Sequence, residues 1–204
     1  MNLYWFGRAV CNVFINILFR MKYEGRENVP EDRGFILASN HRSNFDPLCV
    51  VQGVKKQLRF MAKAELFRGA FLRWLLLSLG AFPVQRGAGD TGAMDNATQI
   101  VRDGGVLAIF PEGHRSKDGV PLRARSGVGM VAAQTGADVL PCAVVFGDKL
   151  RFRCTIRVVY GKLIPHEELG LDAGSPSSIR KASKRIMDDI IAPTGYQKQK
   201  QEAQ

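Results

Sequence analysis

Cysteine, histidine and acidic residues are scarce in this chain of 204 residues, and each shortage removes a class of explanation. The four cysteines, Cys11, Cys49, Cys142 and Cys154, stand far apart with no Cys-x-x-Cys pair, so neither a zinc site nor a disulfide framework is expected. They read as structural thiols of a reducing compartment. No Ser or Cys occupies a Gly-x-Ser-x-Gly elbow, and Cys142 follows Pro141 in a strand-like run with no base beside it. Acidic residues number 19 against 29 Lys and Arg, a net charge of +10, and such a surface favours polyanions. Anionic lipid, the phosphates of a nucleotide carrier, an acidic protein and nucleic acid all satisfy that charge. Nucleic acid is disfavoured, because the chain has no zinc-finger spacing, no aromatic RNA-binding signature and no helix-turn-helix with a basic second helix. Internal repeats and long linkers are also missing, and 46% hydrophobic residues suffice for one domain with a sizeable core.

Nor does the chain contain the run of about 20 apolar residues that a spanning helix needs. The closest approach is the segment from Leu3 to Phe19, which is interrupted by Arg8, Asn12 and Asn16 and followed by Arg20. At spacing four these form one narrow polar stripe on a helix that is otherwise apolar. Charge inside the apolar stretch and no small-residue cleavage site exclude a signal peptide. The pattern predicts an interfacial helix within residues 1–24. Tyr4, Trp5, Phe6, Phe14 and Phe19 would face lipid, and Arg20 and Lys22 would meet anionic headgroups. A helix packed on the protein's own core carries the same stripe.

What is present is chemistry at strand ends. Asn40-His41-Arg42-Ser43-Asn44-Phe45-Asp46-Pro47 follows the apolar run Phe35-Ile36-Leu37-Ala38 and places an imidazole five positions before a carboxylate. A histidine takes a proton near neutral pH, and a carboxylate on its far nitrogen fixes the tautomer and stabilises the imidazolium. A loop His with a helix-capping Asp has the same spacing. A second cluster, Phe110-Pro111-Glu112-Gly113-His114-Arg115-Ser116, follows Val106-Leu107-Ala108-Ile109. Arg115 offers a planar fork for phosphate, Gly113 permits close backbone approach, and Glu112 can bond a hydroxyl or hold that arginine. If both strands are parallel, the two loops meet in the crevice beyond their carboxyl ends. Gly87-Ala88-Gly89-Asp90-Thr91-Gly92 fits a dinucleotide fingerprint with Glu112 downstream, but no second cofactor signature accompanies it.

These residues resemble the glycerolipid acyltransferase family typified by bacterial 1-acyl-sn-glycerol-3-phosphate (lysophosphatidic acid) acyltransferases. Four blocks carry the resemblance in order: Asn40 to Pro47, Gly80 to Arg86, Phe110 to Ser116, and Val139 to Val144. It implies transfer of an acyl group from acyl-CoA or acyl carrier protein to the free hydroxyl of a lysophospholipid, without metal, cofactor or covalent acyl-enzyme. By the same resemblance His41 would be the general base and Asp46 its orienting partner. Arg86, Glu112, Gly113 and Arg115 would bind the acceptor's glycerol phosphate. Apart from the resemblance, Lys63 stands at the end of an expected strand, where it would add charge to that pocket or snorkel as a surface lysine. Glycerol 3-phosphate or another lysophospholipid are the alternative acceptors, and a lipid-surface binding protein is the non-enzymatic alternative. The implied location is the cytoplasmic face of the cell membrane, peripheral or monotopic.

Strands are expected at 35–39, 58–62, 81–85, 106–110, 139–146 and 152–159. Helices are expected at 46–52, 64–79, 91–102, 127–135 and 176–191, the last capped by Ser175. The helix at 64–79 is expected to pack into the core or to border an acyl-chain channel. Alternation of strands and helices predicts an α/β layered domain over residues 25–194, with a mixed, largely parallel central sheet flanked by helices, as in glycerol-3-phosphate acyltransferases. The segment 195–204 reads as a mobile polar tail.

Overall fold

The computed structural model describes residues 3–84, 91–116 and 119–196, without the side chains of Phe71 and Thr91. Arg86, the Gly-rich segment up to Asp90 and the tail beyond Tyr196 therefore lie outside the described residues. Seven strands form one sheet: β1 (Arg20–Glu24), β2 (Phe35–Ser39), β3 (Leu58–Lys63), β4 (Ala81–Val84), β5 (Val106–Ile109), β6 (Val139–Val145) and β7 (Thr155–Tyr160). Their spatial order is β1-β7-β6-β2-β5-β3-β4. Every neighbouring pair is parallel except β6 with β7, so the sheet is mixed and largely parallel, as expected.

The central position of β2 explains its unbroken apolar sequence. Phe35 and Leu37 enter one core, Ile36 and Ala38 enter the other, and all four are fully buried. A strand covered on both faces loses the polar alternation that a half-exposed strand keeps. Helices α1 (Leu3–Leu18) and α2 (Asp46–Val50) lie with the first core, while α4 (Thr91–Arg102), α5 (Gly127–Thr135) and α6 (Pro176–Ile191) cover the second. On α6, Ile179, Ala182, Ile186 and Ile190 form a helical stripe against the sheet, and Ser175 caps its amino end through Ser178 N–H. Tyr160 links the layers: its hydroxyl donates to Val50 O at 2.7 Å and accepts from Gly53 N at 2.9 Å.

Two expectations need correction. The helix expected within residues 1–24 stops at Leu18, and Arg20 begins the strand β1 paired with β7. Short edge strands lit by only two half-buried residues, Met21 and Tyr23, leave little periodic signal. The helix at 64–79 is instead a 3-10 turn, Ala64–Phe67, followed by α3 (Ala70–Ser78), whose Leu72, Trp74 and Leu77 are exposed and do not pack inward. His166 is half-buried, and its backbone N–H donates to Asp138 Oδ1 at 3.0 Å.

Candidate active site

Because β2 and β5 are adjacent and parallel with Ala38 opposite Ile109, the loops that leave their carboxyl ends emerge side by side. Asn40 continues the sheet with its side chain. Its Oδ1 accepts from Val144 N at 2.7 Å and its Nδ2 donates to Val144 O at 3.0 Å, which fixes the point where the chain leaves β2. The next residue, His41, stacks on Phe110 with ring centroids 4.2 Å apart.

His41 Nδ1 lies 2.8 Å from Asp46 Oδ2. Asp46 is 1% exposed, and the same oxygen accepts the backbone N–H groups of Arg42 and Ser43 at 2.7 Å each. An ionised carboxylate only accepts, so the bond places the proton on Nδ1 and leaves Nε2 as the basic nitrogen. The imidazole itself keeps 13% of its surface open to solvent. A buried acid holding a partly open base is an arrangement suited to taking a proton from a hydroxyl.

Glu112 bonds two backbone N–H groups. It is 2% exposed, its Oε1 accepts His41 N–H at 2.6 Å, and its Oε2 accepts Leu122 N–H at 2.8 Å. Burial raises its carboxyl above the ordinary value, against the lowering effect of those two bonds. Ser116 N–H donates to His41 O at 2.8 Å, so the backbone of His41 is held on both sides by the β5 loop. Gly113, at φ +71°, sits against Arg125, whose Nε would lie 2.7 Å from an added Cβ. Arg125 in turn bonds His114 Nε2 at 2.8 Å and Pro111 O through its backbone N–H.

Arg115 is exposed and lines a groove of about 290 Å³ together with Arg42, Ser43, Phe146, Asp148 and Lys149. Arg42 is anchored there, donating to Phe146 O and Gly147 O and lying 4.1 Å above the Phe146 ring. Lys63 is not brought to this groove: it ends β3, two strands from β2, and pairs with Glu65 at 3.0 Å. Cys142 is fully buried with its thiol pushed up by desolvation, and Cys49 is likewise pushed up to about 12, so neither is a poised nucleophile. Sequence reasoning passed over Asn40, Arg42, Phe110, Arg125 and Lys149. The first three stand inside the quoted motifs, whereas Arg125 and Lys149 reach the site only through the fold.

Residues 20–145 match the Acyltransferase family model, a span that contains both loops. The chain belongs to the acyltransferase family. Among relatives of this acyltransferase, the 1-acyl-sn-glycerol-3-phosphate acyltransferase of Bacillus subtilis is 29% identical over 142 residues, 69% of this chain and 70% of that one. The chloroplastic LPAT1 of Arabidopsis thaliana is 26% identical over 72% of this chain, which spans only 42% of the plant protein. The crystal structure of the LPA acyltransferase PlsC from Thermotoga maritima superposes with a TM-score of 0.70 at 26% identity, covering 93% of this chain and 78% of that one.

The residues expected to face a membrane divide. Trp5, Phe6 and Phe14 are exposed on α1, beside Leu3, Val10, Val13 and Ile17. Tyr4 and Phe19 are buried instead: Tyr4 is 2% exposed with its hydroxyl accepting Leu58 N–H, and Phe19 packs edge-on to Phe45. Arg20 and Lys22 are exposed, on β1 and not on the helix. No helix among the described residues is long and apolar enough to cross a membrane.

Proposed function

We propose that this acyltransferase transfers an acyl group from a thioester, acyl-CoA or acyl carrier protein, to the sn-2 hydroxyl of 1-acyl-sn-glycerol 3-phosphate, giving phosphatidic acid. The observation that carries the reading is the 2.8 Å bond between His41 Nδ1 and the buried Asp46. His41 Nε2 takes the hydroxyl proton as the acceptor oxygen attacks the thioester carbonyl. The C–O bond forms, the tetrahedral oxyanion collapses with cleavage of the C–S bond, and the imidazolium returns the proton to the leaving thiolate. Asp46 keeps the tautomer and stabilises the transient imidazolium. Arg115 binds the acceptor phosphate, supported by its place in a groove with Arg42 and Lys149; Arg86 is assigned to the same phosphate by family resemblance alone. Glu112 positions the backbone of His41, and Gly113 keeps the loop tight.

The exposed apolar residues of α1 and α3 support peripheral seating on a membrane, with the carboxyl-edge loops open to a cytoplasmic donor. The acceptor assignment is tested by offering lysophosphatidic acid, lysophosphatidylcholine and glycerol 3-phosphate in competition with each donor. Phosphatidic acid is expected as the main product, with lysophosphatidic acid use depending on Arg115. Preferential acylation of glycerol 3-phosphate would overturn the acceptor.

A further inference from the structure

A second groove, of about 340 Å³, lies between α1 and the 3-10 turn Arg26–Asn28 and is lined by Trp5, Arg8, Ala9, Asn12, Arg26 and Gln52. Two guanidinium groups and two side-chain amides line it, with no carboxylate. Among the described residues neither arginine forms an ion pair, although eight ion pairs occur elsewhere. Arg8 is held in place by carbonyls, donating to Val54 O at 2.5 Å and Gln52 O at 3.1 Å, with its Cζ 5.3 Å from the Trp5 ring. Arg26 rests 4.2 Å above the ring of Tyr23. Carbonyls and rings orient a cation without neutralising it, so the groove retains a charge of two that attracts an anion.

The position of the groove selects the anion. On α1 the side chains of Phe6, Val10, Val13 and Ile17 project away from the sheet, and Tyr4 and Ile15 project into it. Trp5, Arg8 and Asn12, spaced three and four apart, share the flank between these two directions. If the outer face rests at the acyl boundary, that flank stands at headgroup depth with an indole at its rim, as an interfacial helix requires. We infer that this groove binds the phosphate of an anionic membrane lipid. The inference rests on the membrane seating proposed above, and its occupant is separate from the acceptor at the His41 site.

The test uses the intact protein in a Trp74→Phe background, so that fluorescence reports Trp5. The probes are dihexanoylphosphatidylglycerol below its micelle concentration, the matching phosphatidylcholine, and inorganic phosphate. A saturable Trp5 response to the phosphatidylglycerol is expected, weakened about tenfold by Arg26→Glu but not by Lys22→Glu, the same charge change outside the groove. Equal losses in the two variants would show diffuse attraction and overturn the site, as would no saturable response. An equal response to inorganic phosphate would overturn the lipid assignment. Acyl transfer to detergent-dispersed lysophosphatidic acid, measured in parallel, should be unchanged by Arg26→Glu; loss of transfer in the parent protein would indict the proposed reaction and leave the groove to its own readout.

Discussion

The loops beyond β2 and β5 and the outer face of α1 handle water in opposite ways. In the loops, buried polar groups find partners: Asp46 Oδ2 accepts three donors and both Glu112 oxygens accept backbone N–H groups. On α1, Phe6, Val13 and Ile17 leave 50%, 60% and 58% of their surface in water, and Trp74 on α3 leaves 53%. A satisfied, buried polar network holds a base in one orientation before any substrate arrives. A broad apolar surface left open is a surface awaiting a nonaqueous partner. The contrast supports the proposed division, with reaction geometry in one region and access to lipid in the other.

Breaking the first region should have the larger effect. His41→Ala should lower kcat roughly 10²–10⁴-fold, the usual share of a general base, with an unchanged circular dichroism spectrum. Asp46→Ala should approach that loss and also leave the N–H groups of Arg42 and Ser43 unpartnered, at about 1–3 kcal/mol of stability for each buried group. Breaking the second region should separate binding from chemistry. Replacing Phe6, Val13 and Ile17 together by Ser should cut vesicle binding by about 10² or more, since burying each such side chain is worth about 1.5–3 kcal/mol. Turnover on detergent-dispersed substrate should stay the same; a matching loss there would show that α1 serves the site and not the membrane.

Smaller effects sharpen the comparison. Arg115→Ala should raise the acceptor KM about tenfold, as loss of one charge-assisted hydrogen bond predicts, with donor KM unchanged. Glu112 gives a pH signature. Burial raises its carboxyl in the native state, so its contribution to stability is present below the unfolded value and is lost as pH rises through the raised native one. Chemical denaturation from pH 4 to 7 should therefore show the native protein losing stability relative to Glu112→Gln; a gain would mean that the two backbone bonds outweigh burial.

The sheet and its flanking helices were legible because their signals are local. Thr91–Arg102, Gly127–Thr135 and Pro176–Ile191 coincide with the expected helices, and Phe35–Ser39 with the expected strand. His41 and Asp46 were legible because both belong to one short motif. The backbone bonds of Glu112 were not, since its two partners, His41 N–H and Leu122 N–H, are set by the parallel register of β2 with β5 and by the return of the later loop. Likewise Tyr4 and Trp5 are neighbours of similar character in sequence, and only helix phase sends one to Leu58 and the other to the surface. Lys149 joins Arg42 across more than a hundred residues, a distance no local pattern spans.

The most direct measurement is acyl transfer to lysophosphatidic acid in detergent, with acyl-CoA and acyl carrier protein offered as donors to the native protein and to His41→Ala at matched folding. Phosphatidic acid from the native protein, with at least a hundredfold less from the variant, is the predicted result. Equal product from both would contradict the assignment of proton transfer to the His41–Asp46 pair.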